Sequence, residues 1–167
     1  MEVRFALAAV ILFCCGMFGK SLVLTNRRRA KLLSEWMDGL QMLQVHMLDY
    51  LLPIRTALER SQFSVLRALE EQTRVDCVSA GWNRFREAET TRGGKLDCLS
   101  ETDLTVLNRL FESLGVTAKE EQRQAFAAAI RELGRLESEA RGEYQKKGRL
   151  YTMIGALAGA AVLIGVL

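Results

Sequence analysis

Leu150-Tyr-Thr-Met-Ile-Gly-Ala-Leu-Ala-Gly-Ala-Ala-Val-Leu-Ile-Gly-Val-Leu167 closes the chain without a charged residue. A helix needs about 20 mostly apolar residues to cross the hydrocarbon core of a bilayer, where no water satisfies an open backbone amide. Residues 150–167 are therefore predicted as a C-terminal transmembrane helix. On the inner side of this stretch stand Lys146, Lys147 and Arg149. The other end mirrors it. Phe5 to Gly19 is uncharged, the apolar character resumes after Lys20 as Ser-Leu-Val-Leu, and Arg27, Arg28, Arg29 and Lys31 follow. Residues 1–26 are predicted as an N-terminal transmembrane helix, with Lys20 burying its stem and lifting its ammonium to the headgroups. The competing reading is a cleaved signal peptide, but no Ala-x-Ala site follows the apolar run. Nor does Phe13 suit a lipoprotein site before Cys14, because a small residue is needed there. Basic residues beside a span stay in the cytoplasm, so the two clusters agree. The expected protein is an all-α, two-span resident of the cell membrane. Its small cytoplasmic helical bundle, residues 27–149, lies between two terminal transmembrane helices, and both termini face out.

About 120 residues between the spans suit one small domain. The net charge is +3, and bases mix with acids along the middle segment, which describes a solvated helical surface and no nucleic-acid stripe. Cys77 and Cys98 lack Cys-x-x-Cys spacing, and a reduced cytoplasmic compartment accounts for them.

The middle segment has one proline and no long apolar-polar alternation, so it reads as helix throughout. From Arg27 to Leu52 the apolar residues Leu33, Trp36 or Met37, Leu40, Leu43, Met47 and Leu51 recur at helical spacing. Pro53 ends or kinks that helix. A short helix over Ile54–Glu59 is expected next. Another follows from Ser61 to about Arg74, with Phe63, Leu66 and Leu69 facing inward, and then a helical turn or two around Trp82 and Phe85. Thr90-Thr-Arg-Gly-Gly-Lys95 reads as a loop. Ser100 with Asp103 opens a helix carrying Leu104, Leu107, Leu110, Phe111 and Leu114, and Gly115 stops it. Thr117 with Glu120 forms a second capping box. Helical character then continues through Phe126, Ile130, Leu133, Leu136, Ala140 and Tyr144 into the second span. Unbroken, this last helix is roughly 75 Å long; Gly142 and Gly148 offer a hinge as the alternative.

Little in the chain can do chemistry. His46 is the only histidine, which removes paired-histidine zinc sites and with them most zinc and triad chemistry. Gly93-Gly94-Lys95 lacks the first glycine, the following Ser or Thr and the preceding strand of a phosphate loop. Glu137 with Arg141 and Glu143 with Lys147 stand four apart as surface pairs. Trp36 and Trp82 read as packing residues. No catalytic residue, cofactor or metal is expected, and no enzyme. Gly155 and Gly159 place small residues four apart on one helix face, which permits close packing of another span of the same or a second chain. Arg27, Arg28, Arg29, Lys31, Lys146, Lys147 and Arg149 are the expected basic anchor on anionic membrane lipid.

The segment Lys146-Lys-Gly-Arg-Leu-Tyr-Thr-Met-Ile-Gly-Ala-Leu-Ala-Gly159 resembles the closing signature of the stage III sporulation protein AB family, in which a basic segment and a Leu-Tyr pair lead into a Leu-Gly-x-x-x-Gly span. The resemblance continues through Leu40-Gln-Met-Leu43, Pro53-Ile54, the isolated Trp82, Asp103 and Leu107 before Leu114-Gly115, and Gln122. The chain departs from the family pattern in several places. Gln44 and His46 replace a Glu-x-Glu pair and Asp49 displaces a tyrosine. Leu110-Phe111 stands for a Phe-Gly pair, and Ile154 for a leucine.

The resemblance implies a noncatalytic component of the sporulation channel in the mother-cell membrane around the forespore. Its helical bundle would be similar to the cytoplasmic domains of the type II secretion platform protein. Implied partners are a secretion-type ATPase, the stage III sporulation protein AA, and other channel components. The helix surface around Gln44, His46 and Asp49, where the chain departs from the family pattern, is the expected partner face. A homo-oligomer is left open. The alternatives are a membrane-tethered lipid-binding or regulatory protein and a tethered enzyme using acidic residues.

Overall fold

The computed structural model describes residues 24–73, 77–91, 93–115 and 117–166, with side chains described as far as Lys146. Every regular element among them is helical, so the fold is all-α. Helix α1 occupies residues 24–44 and ends in a π-helical turn, Val45–Asp49. The others are α2 (Ile54–Glu59), α3 (Ser64–Thr73), α4 (Val78–Glu89), α5 (Glu101–Ser113) and α6 (Lys119–Val166). The chain divides into two compact units, Arg29–Ser138 in one and Met1–Arg28 with Glu139–Leu167 in the other. In the second unit, Asn26 Nδ2 donates to Glu143 Oε2 at 3.2 Å.

In the Arg29–Ser138 unit consecutive elements pack on one another, α2 on the π turn, α3 on α2, α4 on α3 and α5 on α4. The core is aromatic at its centre. Trp82 of α4 stacks on Phe111 of α5 with centroids 4.6 Å apart, and Trp36 of α1 meets both edge-on. Leu33, Leu40, Leu66, Leu69, Leu107 and Phe126 surround them. Each stands at the helical spacing that the sequence assigns to an inward face, so the burial that drives folding is written into the periodicity. Both tryptophans are packing residues, and Trp82 Nε1 donates to Asn108 Oδ1.

Helix boundaries follow local chemistry. Pro53 precedes α2 and Ala57 N–H bonds to its carbonyl. Helix α3 begins at Ser64, three residues later than expected, because the Ser61 hydroxyl accepts the Phe63 N–H in a turn of its own. Helix α4 has 12 residues, longer than the turn or two expected. Its Gly81 hides the pattern, yet a Cβ there would lie 2.9 Å from Thr73 Cα, so the glycine is what lets α4 approach α3. Ser100 caps α5 as expected, accepting from Asp103 N–H while the Asp103 carboxylate accepts from Ser100 N–H. Gly115 leaves that helix at φ +85°. Helix α6 starts at Lys119, one residue past the position expected from a Thr117 cap, and the Thr117 hydroxyl donates to Ser113 O. It continues through Gly142 and Gly148 without interruption.

Among the described residues no helix is long and apolar enough to cross a membrane. Residues 1–23 of the first predicted span and all of the second, 150–167, lie outside the residues whose side chains are described.

Candidate docking surface

Along α1 the buried residues Leu33, Trp36, Leu40 and Leu43 follow at steps of three and four. The next is Leu48, five residues on. The π turn makes that step: Tyr50 N–H bonds to Val45 O, five residues back, and a π turn holds one residue more than an α turn. The inserted residue rotates everything after it. Leu51, which an unbroken period places in the core, is instead 69% exposed at φ +54°, in the left-handed region that a branched side chain adopts only at a cost. Tyr50 beside it is 68% exposed and Val45 is 43% exposed. Three of the four exposed large apolar side chains among the described residues thus share one turn.

The same turn holds the predicted partner face. Gln44 and His46 are half-buried and Asp49 is exposed. His46 Nδ1 is buried without a hydrogen-bond partner, and its ring lies 6.1 Å from that of Tyr50. The Asp49 carboxylate pairs with Arg123 of α6 at 3.5 Å. Beyond it, α5 and α6 form an open groove of about 400 Å³ lined by Val106, Leu110, Ala125, Ala128 and Ala129, with Arg109 among its walls. The sequence reading missed Val45, Tyr50, Leu51 and the groove. The signal for the first three was the Tyr50-Leu51-Leu52 run against Pro53, where a helix must end and an apolar residue can be left outside.

Of the basic cluster, Arg27, Arg28, Lys31 and Lys146 are exposed. Arg29 departs from the expectation of a lipid anchor. Its Nε donates to Asp103 Oδ2 at 2.7 Å and its Nη2 to Asp103 Oδ1 at 2.9 Å, with a further bond to Ser100 Oγ at 3.2 Å. Burial pushes the Asp103 carboxyl up. The Arg29 hydrogen bonds, the Ser100 amide and hydroxyl, and the guanidinium charge outweigh it and hold the group below its ordinary value. A planar fork that meets a fully buried carboxylate in this way fastens α1 to the start of α5. Lys147, Arg149, Gly155 and Gly159 lie outside the residues whose side chains are described, although the helical backbone runs through all four.

Gly93-Gly94-Lys95 is a helix-ending loop. Leu96 N–H bonds to Glu89 O, Lys95 N–H to Glu89 Oε2 and Gly93 N–H to Asp97 Oδ2, so its amides are spent within the chain. A Cβ on Gly94 would collide with the Glu89 carbonyl. Cys77 and Cys98 are not joined in a disulfide, and Cys77 Sγ lies 3.3 Å from Ser79 Oγ.

No curated protein and no solved structure matches the chain. The family model described as stage III sporulation protein AB matches residues 4–167. That match covers the capped α5 with its Arg29 clamp, the Pro53 corner, the buried Trp82 and both apolar ends, and the chain belongs to the stage III sporulation protein AB family.

Proposed function

We propose that this sporulation protein is a noncatalytic platform component of the channel between mother cell and forespore, held in the mother-cell membrane by its two apolar ends. Its cytoplasmic bundle docks the secretion-type ATPase, the stage III sporulation protein AA. The observation that carries the docking is the π turn. It brings Gln44, His46 and Asp49 together at the surface in a backbone that gives up regular hydrogen bonding and a favourable angle at Leu51. Such strain at an exposed turn is a cost to the fold, and that cost is what supports reading the turn as a contact surface. Exposed Arg27, Arg28, Lys31 and Lys146 remain to hold anionic lipid.

The test is affinity capture with the full-length chain immobilised in detergent and a lysate of sporulating cells. Retention of the ATPase, identified by mass spectrometry, supports the platform reading; a folded chain that retains none removes it. Replacing Gly155 and Gly159 with leucine should impair assembly in the membrane while the bundle stays folded.

A further inference from the structure

We propose that the Val45–Leu51 turn of one copy seats in the α5–α6 groove of a second copy and joins copies head to tail. The docking reading uses Gln44, His46 and Asp49 and leaves Val45, Tyr50 and Leu51 without a role, although their apolar surface is costly to leave in water. The same chain carries a concave counterpart. A groove of about 400 Å³ has room for a tyrosine and a leucine side chain, and Ala125, Ala128 and Ala129 let a neighbour's backbone come close.

Charge fits the same pairing. Arg109 and Glu132 both line the groove; the Glu132 carboxylate accepts from Arg135, whereas the Arg109 side chain has no hydrogen bond or ion pair among the described residues. Asp49 stands beside Tyr50 and Leu51, and its pair with Arg123 is long, at 3.5 Å, with side chains 45% and 56% exposed. A pair of that kind contributes little, so Asp49 can turn to a neighbour's Arg109 at small cost. Successive residues of a helix are about 100° apart, which puts Ala128 about 140° and Glu132 about 180° around α6 from Arg123. The turn and the groove therefore lie on opposite flanks of α6. A contact between unlike surfaces of identical chains is heterologous and propagates from copy to copy.

A copy whose turn is seated in a neighbour cannot offer it to an ATPase. The experiment is therefore made on purified chain without ATPase, so failure here and failure of the docking reading are read separately. Full-length chains bearing two different tags, one with p-benzoylphenylalanine in place of Tyr50, are co-expressed, purified in detergent and irradiated. The expected product carries both tags, with the crosslinked peptide inside residues 106–132. Arg109→Glu should lower its yield about tenfold, and adding Asp49→Arg should restore it. Ala128→Trp fills the groove and should lower the yield by a similar factor, with helix content checked by circular dichroism. Absence of a two-tag product, or a yield indifferent to both Arg109→Glu and Ala128→Trp, overturns the proposal.

Discussion

Arg29–Asp103 and Asp49–Arg123 are both ion pairs that α1 and its π turn make with distant helices, and they differ in every respect that sets their worth. The first is bidentate at 2.7 and 2.9 Å, with its carboxylate fully buried and its guanidinium 18% exposed. The second is a single 3.5 Å contact between half-exposed side chains. Around Arg29 the helix is regular and the core begins. Around Asp49 the helix widens, the register slips and three apolar side chains stand in water. One end of α1 is committed to the fold, while the other holds surface that the fold does not use.

Breaking the first pair is the most severe test of that contrast. Arg29→Met leaves Asp103 buried without its countercharge and should cost about 3–5 kcal/mol, read as a lowered melting temperature of the full-length chain. The pH dependence carries the same signature. Because the folded carboxyl sits below its unfolded value of about 3.9, its stabilisation is complete above that pH and is lost as pH falls through the lower folded value. Asp103→Asn should flatten the acid limb. Between the two pairs, Gly81→Ala would bring a Cβ to 2.9 Å from Thr73 Cα, and separating α3 from α4 should cost about 1–3 kcal/mol by chemical denaturation. At the far end the sign changes. Leu51→Gly relieves a left-handed backbone and should leave stability unchanged or raise it by about 1 kcal/mol, while reducing the crosslink from position 50. Arg123→Ala should move stability by less than about 0.5 kcal/mol.

Much of the bundle could be read from residue order alone, because its periodicity is local. The α5 stripe, its Ser100–Asp103 cap, the Gly115 stop and the Pro53 boundary each depend on residues a few positions apart. Two things could not be read that way. A π insertion changes helical phase by one residue without a distinctive residue type, so a stripe counted through Leu51 continues past the point where the structure breaks it. Arg29 looks like its neighbours Arg27 and Arg28, and only a contact 74 positions away separates a structural clamp from a surface base. The expected face of Gln44, His46 and Asp49 lies on the π turn and the residue before it, and the exposed apolar side chains beside it were assigned inward or left unremarked.

Capture of the ATPase from a lysate of sporulating cells tests the docking turn most directly, with the unaltered full-length chain compared against a Gln44→Ala, His46→Ala, Asp49→Ala variant. The unaltered chain should retain the ATPase, and the variant should lose it while its melting temperature changes little, because the Asp49–Arg123 pair it gives up is long and half-exposed. Equal retention by both chains, or none by either with the bundle folded, would contradict the assignment of this turn to partner contact.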